Sequence, residues 1–161
     1  LHGNCATVDT ACSSSIVALH CAHLSAELHS VVGGVNLIVS LNVTHALLTA
    51  SKLSPDGRCK SLDVSADGYG RGEGCAAISC TKNEDDTCLI VCRSIMCNQD
   101  GRSSSLTTPN GLSQVALLQA SKASLHGKTC ITGLELHGTG TLLGDLIEFH
   151  AWEDSVKGET L

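Results

Sequence analysis

The amino-acid sequence predicts a layered α/β protein. Helix-type and strand-type patterns alternate along its 161 residues, and 42% of the residues are hydrophobic, which is enough to build a core. Only 2% are aromatic, so Ala, Val, Leu, Ile and Gly must fill that core, as in closely layered α/β proteins. The near-continuous apolar run at 30–41 is typical of a strand that is covered on both faces.

The predicted elements follow one another without an internal repeat. A short strand at 4–9 precedes a mostly buried helix at 13–29, a stretch without proline or glycine. The other predicted elements are the strand at 30–41, a short helix at 43–51, strands at 74–81 and 88–97, a helix at 111–125, a strand at 130–136 and a helix from Asp145. Two long polar stretches, 52–73 and 98–110, are predicted to be loops, and loops of this length usually serve function.

Charge and hydropathy exclude several classes of partner. Ten Lys and Arg against sixteen Asp and Glu give a net charge of −6, and such a surface repels nucleic-acid phosphate and anionic lipid. We therefore expect neither nucleic acid nor a membrane as a partner. No window reaches the roughly 18 apolar residues of a membrane span, and no signal peptide is evident, so we expect a cytoplasmic protein.

The ten cysteines form neither a metal-binding pattern nor a disulfide framework. They contain no C-x-x-C pair, and the most closely spaced three, at 88, 92 and 97, lie on a predicted strand. We interpret most of them as small buried apolar residues in a reducing compartment. His20 and His23 can share a helix face, but no cysteine or carboxylate is spaced to complete a metal site with them.

One cysteine, Cys12, stands in a chemically distinct place. It falls within VDTACSSS at 8–15, at a predicted strand-to-helix junction where Asp9 and Thr10 are good N-cap types. Free N–H groups and the positive dipole end of a helix favour the thiolate over the thiol. Because Ala11 and the three serines are small, they leave room for an acyl group to approach the sulfur. The sequence indicates a nucleophilic cysteine, and the alternative is a buried structural cysteine.

A second motif, ELHGTGT at 135–141, follows an apolar strand and places a histidine before a loop of small residues. Such a loop can press its backbone against a ligand, while Thr139 and Thr141 offer hydrogen bonds. His137 can act as an acid, a base or an oxyanion donor near neutral pH, and the alternative is a surface histidine without a role. The glycines at 68–74 lack the G-x-G-x-x-G spacing and precede a strand, so we predict a close-packed turn there rather than a nucleotide site.

Four motifs in order resemble the β-ketoacyl synthase (ketosynthase) domain of type I polyketide synthases. They are DTACSSS at 9–15, SPDGRCKSLDVSADGYGRGEG at 54–74, NQDGRS at 98–103 and HGTGTLLGD at 137–145. The resemblance implies a thiolase-like fold, with five layers αβαβα built from two similar halves. The chain would be a partial domain, with residues 1–85 from the latter part of the N-terminal half and 86–161 from the start of the C-terminal half. The first residue, Leu rather than Met, and the polar tail KGETL also indicate an excerpt from a longer protein.

The resemblance implies an acyltransferase that carries out a decarboxylative Claisen condensation in polyketide or fatty acid biosynthesis, within a multifunctional enzyme. In the family, the cysteine matching Cys12 accepts an acyl chain as a thioester. The histidine matching His137 binds the carbonyl of a malonyl-type extender and stabilises the enolate. Thr139 and Thr141 match residues that contact the phosphopantetheine arm of acyl carrier protein.

The resemblance also implies supporting residues and partners. Asp145 and Glu148 match acids that orient a lysine further along the chain. No cofactor is expected to bind directly, because the substrates travel on the phosphopantetheine of acyl carrier protein. The implied partners are this carrier protein, acyl and malonyl-type thioesters, and a second copy of the domain, since the strand matching 4–9 pairs with its symmetry mate in the family.

Several features depart from the family pattern. The chain does not contain the family's K-[ST]-N-I-G-H segment with a lysine and a second histidine, so we expect the fragment alone to be inactive. The connection at 24–32 is short, Leu136 stands where alanine is usual, and Leu146 replaces a common proline. Two alternatives stay open: a thiolase-fold acyltransferase acting on coenzyme A esters, and a degenerate, non-catalytic remnant. If the main interpretation holds, Cys12 and His137 project into one pocket from neighbouring central strands.

Overall fold

The computed structural model describes residues 3–83, 88–105, 108–125 and 130–157. The chain divides into two compact units. Unit 1 comprises Leu1–Leu37 and Glu73–Cys97, and unit 2 comprises Ile38–Gly72 and Asn98–Leu161.

Unit 1 contains one helix and a two-stranded antiparallel sheet. A 3₁₀ turn, Ala11–Ser13, leads without a break into helix α1, Ser14–Leu24. Strand β1, His29–Asn36, pairs along its full length with strand β2, Gly74–Thr81. Helix α1 packs on β1, and a Cβ added at Gly34 would collide with the Ser15 hydroxyl. This glycine therefore permits the close approach of the strand to the first turn of α1.

Unit 2 contains three helices and a long loop. The helices are α2, Leu41–Thr49, α3, Gly111–Ala123, and α4, Leu142–Val156, with α3 packed on α4. The side-chain oxygen of Asn110 accepts the amides of the first turn of α3 and caps that helix. After α2 the long loop returns to its own beginning, where Tyr69 forms an isolated parallel bridge with Leu53.

Elements with strong local signals lie close to their predicted positions. The predicted strand at 74–81 is confirmed, and the helix predicted at 111–125 begins at the predicted residue. The helix predicted at 13–29 is shorter, because Ser25 takes an extended conformation and its hydroxyl donates to the Ala22 carbonyl. The strand predicted at 30–41 ends at Asn36, and the last helix begins at Leu142 rather than Asp145 because Thr141 already takes the N-cap conformation.

Three predicted strands are wrong for this structure: those at 4–9, 88–97 and 130–136. A strand is held by hydrogen bonds to a neighbouring strand. Among the described residues, the only ladder joins β1 to β2. The hydrophobic pattern of these segments predicted the strand but could not supply its partner.

Few side chains are buried in the part of the chain that the structure describes. The buried hydrophobic residues there are Val32, Ala66 and Ala151. Val31 and Val35 in β1 are 68% and 70% exposed, so the expectation of a strand covered on both faces is wrong for this chain. The reason is that β1 contacts β2 and α1 and no other described element.

The cysteines also differ from expectation. All ten are free thiols, eight of them exposed and two half-buried, so the prediction that most are buried is wrong. The cysteines are exposed for the same reason as the valines of β1: few other described elements pack against the segments that carry them. No described helix is both long and apolar enough to cross a membrane.

Candidate functional site

Cys12 lies in the 3₁₀ turn that opens α1, and it is exposed. Its predicted position at a helix start is confirmed, whereas its nucleophilic role stays a prediction. Ala11, directly before it, has a φ of +57°. This left-handed conformation costs a residue with a Cβ about 1–2 kcal/mol, and such strain is typical of functional turns. A sharp strained turn before a helix is also how nucleophile elbows present their reactive side chain.

Side chains of neighbouring residues hold this turn. Asp9 Oδ1 accepts the Ala11 amide at 3.1 Å, and the Ser14 hydroxyl accepts the Thr10 amide at 2.9 Å while donating to the Ala11 carbonyl at 2.7 Å. The Thr10 and Ser13 hydroxyls lie 2.9 Å apart. These bonds explain how Ala11 is kept in its strained conformation, and none of them uses the Cys12 sulfur.

The loop that carries His137, residues 137–141, lies in unit 2 directly before α4; we call it the His137 loop. Glu148 on α4 accepts two consecutive amides of this loop, His137 N at 2.6 Å and Gly138 N at 3.0 Å. Hydrogen bonds to an ionised carboxylate are among the stronger ones in proteins. Glu148 therefore fixes the backbone, while the His137 side chain is exposed.

Asp145, in the first turn of α4, joins this loop to a second loop, the polar stretch at 52–73. It is 3% exposed; its Oδ1 accepts the Gly140 amide at 3.0 Å and its Oδ2 accepts the Leu62 amide at 2.9 Å. Leu62 itself has a φ of +58°. A buried carboxylate needs such partners, so Asp145 requires both loops to keep their present conformation. Within this chain, Asp145 and Glu148 thus anchor backbone amides, and their orientation of a lysine stays a prediction.

The two loops meet through glycines. Gly140 has a φ of +69°, and a Cβ there would lie 2.8 Å from the Gly68 carbonyl oxygen and 2.9 Å from the Lys60 nitrogen. The Gly68 amide donates to the Gly140 carbonyl at 2.9 Å. Only glycine satisfies both the conformation and the space at position 140. Gly68 and Gly70 are closely packed, as the sequence predicted, but they flank the bridge residue Tyr69 and no turn forms at 68–74.

Two threonines complete the loop. The Thr139 and Thr141 hydroxyls lie 3.1 Å apart and both residues are half-buried. The Ser61 hydroxyl, from the second loop, donates to the carbonyl of Gly138. The hydroxyl pair thus belongs to a loop whose backbone is held by Glu148 on one side and by Ser61 on the other.

The structure brings five of the predicted site residues together in unit 2, namely His137, Thr139, Thr141, Asp145 and Glu148. Cys12 belongs to unit 1, so its convergence with His137 in one pocket stays a prediction. Sequence reasoning did not identify the roles of Ser61 and Leu62. The one available signal was the length of the polar stretch at 52–73, which predicted a functional loop but not its contacts.

One histidine of the pair on α1 has a hydrogen-bond partner in the backbone. His20 Nδ1 lies 3.2 Å from the Ile95 carbonyl oxygen and so has a backbone partner. In the described ranges, no group of three or more His, Cys, Asp and Glu side chains is placed to hold a metal ion.

Family models match almost the whole chain. The model described as Beta-ketoacyl synthase, N-terminal domain, matches residues 1–85, and the model described as Beta-ketoacyl synthase, C-terminal domain, matches residues 89–160. The chain therefore belongs to the β-ketoacyl synthase family.

The similar curated proteins are polyketide synthases. The chain is 43% identical to one of the subunits of the phenolphthiocerol/phthiocerol polyketide synthase of Mycobacterium tuberculosis (strain CDC 1551 / Oshkosh), an alignment that covers 94% of this chain and 9% of that protein. It is also 43% identical to the highly reducing polyketide synthase dmxL2 of Cryptosporiopsis sp. (strain 8999), covering 94% of this chain and 7% of that one. The chain thus spans less than a tenth of the length of these relatives.

Solved structures of ketosynthases match the fold. The ketosynthase from module 6 of the bacillaene synthase of Bacillus subtilis 168 matches with a TM-score of 0.82 and 34% identity, over 95% of this chain and 30% of that one. The oxazolomycin ketosynthase domain of Streptomyces albus JA3453 matches with a TM-score of 0.88 and 33% identity, over 96% of this chain and 29% of that one. Ketosynthase domains have the thiolase-like fold, so the predicted fold class and the predicted family are confirmed.

Proposed function

We propose that this chain is the part of a polyketide synthase ketosynthase domain that supplies the acyl-accepting nucleophile and the extender-binding histidine of a decarboxylative Claisen condensation. The observation that carries the proposal is the placement of Cys12: an exposed thiol at a helix start, directly after a strained residue, in a chain of this family.

In the first half-reaction, the Cys12 thiolate attacks the carbonyl carbon of an acyl group on the phosphopantetheine arm of acyl carrier protein. A new C–S bond forms at Cys12, and the thiol of the arm leaves. Thiolate suits this step because it is both a good nucleophile and a good leaving group. The start of α1 favours negative charge at the attacking sulfur.

In the second half-reaction, a malonyl-type extender loses CO₂, and the resulting enolate carbon attacks the Cys12 thioester. The new C–C bond lengthens the chain, and the Cys12 thiolate is released. His137 binds the carbonyl oxygen of the extender and stabilises the enolate, and losing one such donor typically costs about 10²–10³ in rate. The Thr139 and Thr141 hydroxyls contact the arm, on a loop that Glu148 holds in place.

The proposed partners follow from the same chemistry. They are acyl carrier protein and its acyl and malonyl-type thioesters; a second copy of the complete domain is proposed from the family resemblance instead. The similarity to polyketide synthases favours carrier-bound substrates over coenzyme A esters. The short connection after α1 does not favour a degenerate remnant, because it is accommodated within unit 1: the Leu28 carbonyl accepts the Lys82 amide at 3.0 Å.

The test is a condensation assay on a complete ketosynthase domain in which residues 1–161 replace the matching third of the bacillaene module 6 ketosynthase. We expect carbon–carbon bond formation from acyl and malonyl carrier thioesters, no product from Cys12→Ala, and normal product from Cys97→Ala. Cys97 is a matched control because it is also an exposed thiol of unit 1. Residues 1–161 alone should give no product. Condensation by the Cys12→Ala domain would overturn the proposal.

A further inference from the structure

A closed ring of polar side chains lies in the segment 54–70 of unit 2. Lys60 Nζ lies 2.7 Å from Asp67 Oδ2 and 3.3 Å from Asp56 Oδ2. The Ser54 hydroxyl lies 2.6 Å from Asp56 Oδ1 and 2.7 Å from Asp67 Oδ1. Lys60 and Ser54 thus each join the same two carboxylates, and the ring closes the segment on itself.

Lys60 is the member of the ring that the other three cannot replace. A serine hydroxyl has one proton, so Ser54 cannot donate to both carboxylates at once. Without the ammonium group, two like charges would face each other across a single donor. The Lys60 side chain is 22% exposed and Ser54 is buried, so this network is less open to water than an isolated surface ion pair.

The residues between Lys60 and Asp67, together with Gly68 directly after them, contact the His137 loop. Ser61 donates its hydroxyl proton to the Gly138 carbonyl, and the Leu62 amide donates to Asp145. The Gly68 amide donates to the Gly140 carbonyl. The backbone nitrogen of Lys60 itself lies 2.9 Å from where a Cβ at position 140 would be, which is too close for any residue but glycine.

We propose that Lys60 is a positioning residue for His137: its ammonium group closes the ring that holds residues 60–68 against the His137 loop. Lys60 acts through Ser61, Leu62 and Gly68 and does not touch the substrate. The catalytic consequence rests on the proposed function, because it requires His137 to bind the extender. The positioning itself does not depend on that function.

The test compares backbone hydrogen exchange in the full chain for Lys60→Met, Lys60→Arg and Lys157→Met. Lys157 is the matched control, since it also lies in unit 2 and pairs with an aspartate, Asp154, away from the loop. In Lys60→Met we expect the amides of Gly68 and Gly140 to exchange about threefold to tenfold faster, with the amides of α3 unchanged. Lys60→Arg should restore the original rates because it keeps the charge.

A second readout follows His137 directly. The imidazole resonances of His137 should move in Lys60→Met and return in Lys60→Arg, which a general loss of stability would not produce. If Lys60→Met does not fold, Asp56→Asn, which removes one charge of the ring, should show the same changes with a smaller size. Unchanged exchange at Gly68 and Gly140, or equal acceleration in Lys157→Met, would overturn the inference. Normal condensation by a His137→Ala domain would instead overturn the proposed function and leave the exchange result standing.

Discussion

Cys12 is one of eight exposed cysteines, so exposure alone does not select it as a nucleophile. What distinguishes it is the combination of a helix start with the left-handed conformation of Ala11, which is held by the Asp9 carboxylate and the Ser14 hydroxyl. Backbone geometry, rather than exposure, therefore separates Cys12 from the other exposed cysteines.

This difference predicts selective alkylation. Iodoacetamide should modify Cys12 before the other cysteines, because a helix N-terminus stabilises the negative charge of an attacking sulfur and small residues leave that sulfur open to approach. Mass spectrometry of peptides sampled over time measures the order of modification. Cys97, which is also exposed but lies outside any helix, is the internal control, and modification of Cys97 at the same rate would contradict a selectively activated Cys12.

Asp145 is buried and accepts amides from both the His137 loop and Leu62, so its loss should disturb the contact between them. Asp145→Ala leaves the amides of Gly140 and Leu62 without their acceptor, so we expect a loss of about 2–4 kcal/mol in the free energy of unfolding. Urea unfolding monitored by circular dichroism measures it. Asp154→Ala removes an exposed carboxylate of the same helix and should cost under about 0.5 kcal/mol. Equal losses in the two variants would show that the buried contacts of Asp145 do not matter.

At the scale of elements, the segment 54–70 carries charged groups whose pKa values are shifted by one another. A hydrogen bond from Lys60 lowers the pKa of Asp67, and a hydrogen bond from Ser54 lowers the pKa of Asp56. The hydrogen bond to Asp67 raises the pKa of Lys60. Each shift favours the charged form of the ring in the folded state.

These shifts predict how the segment responds to pH. The pKa values of Asp56 and Asp67 are lower in the folded state than in the unfolded state. The stabilisation that these two carboxylates give to the segment is therefore complete above the pKa range of unfolded carboxyl groups, and it is lost as the pH falls below about 4. The contribution of Lys60 is lost only when the pH rises past its raised pKa, above about 10. Hydrogen exchange at Gly68, corrected for the intrinsic rate, should therefore show constant protection at neutral pH and weaker protection in acid. Protection of the Gly68 amide in the Lys60→Met variant should depend less on pH. An equal dependence in both proteins would contradict the idea that the charged ring protects this amide.

The same scale shows what local sequence can and cannot predict. Strand β2 and helix α3 were predictable because turn residues and the Asn110 cap mark their ends. The Cys12 and His137 motifs could be singled out because small residues surround a cysteine and a histidine, and their chemical roles stay predictions. The roles of Ser61 and Leu62 were not, since they act through a backbone conformation and a contact between distant loops, which no local pattern encodes.

At the scale of the whole molecule, apolar side chains remain widely exposed. Val35 is 70% exposed, Leu41 is 87% exposed and Leu89 is 98% exposed. The chain matches about 30% of the bacillaene ketosynthase, so we expect further elements of a complete domain to cover these side chains. We expect the predicted strands at 88–97 and 130–136 to find their partners in such a complete domain as well.

Acyl loading of a complete domain that carries residues 1–161 tests most directly whether Cys12 is the acyl-accepting residue. The domain is incubated with an acyl thioester of N-acetylcysteamine, and the acylated peptide is identified by mass spectrometry. We predict one acyl group, located on Cys12, labile to hydroxylamine and absent from Cys12→Ala. An acyl group on another cysteine, or undiminished loading of Cys12→Ala, would contradict the assignment.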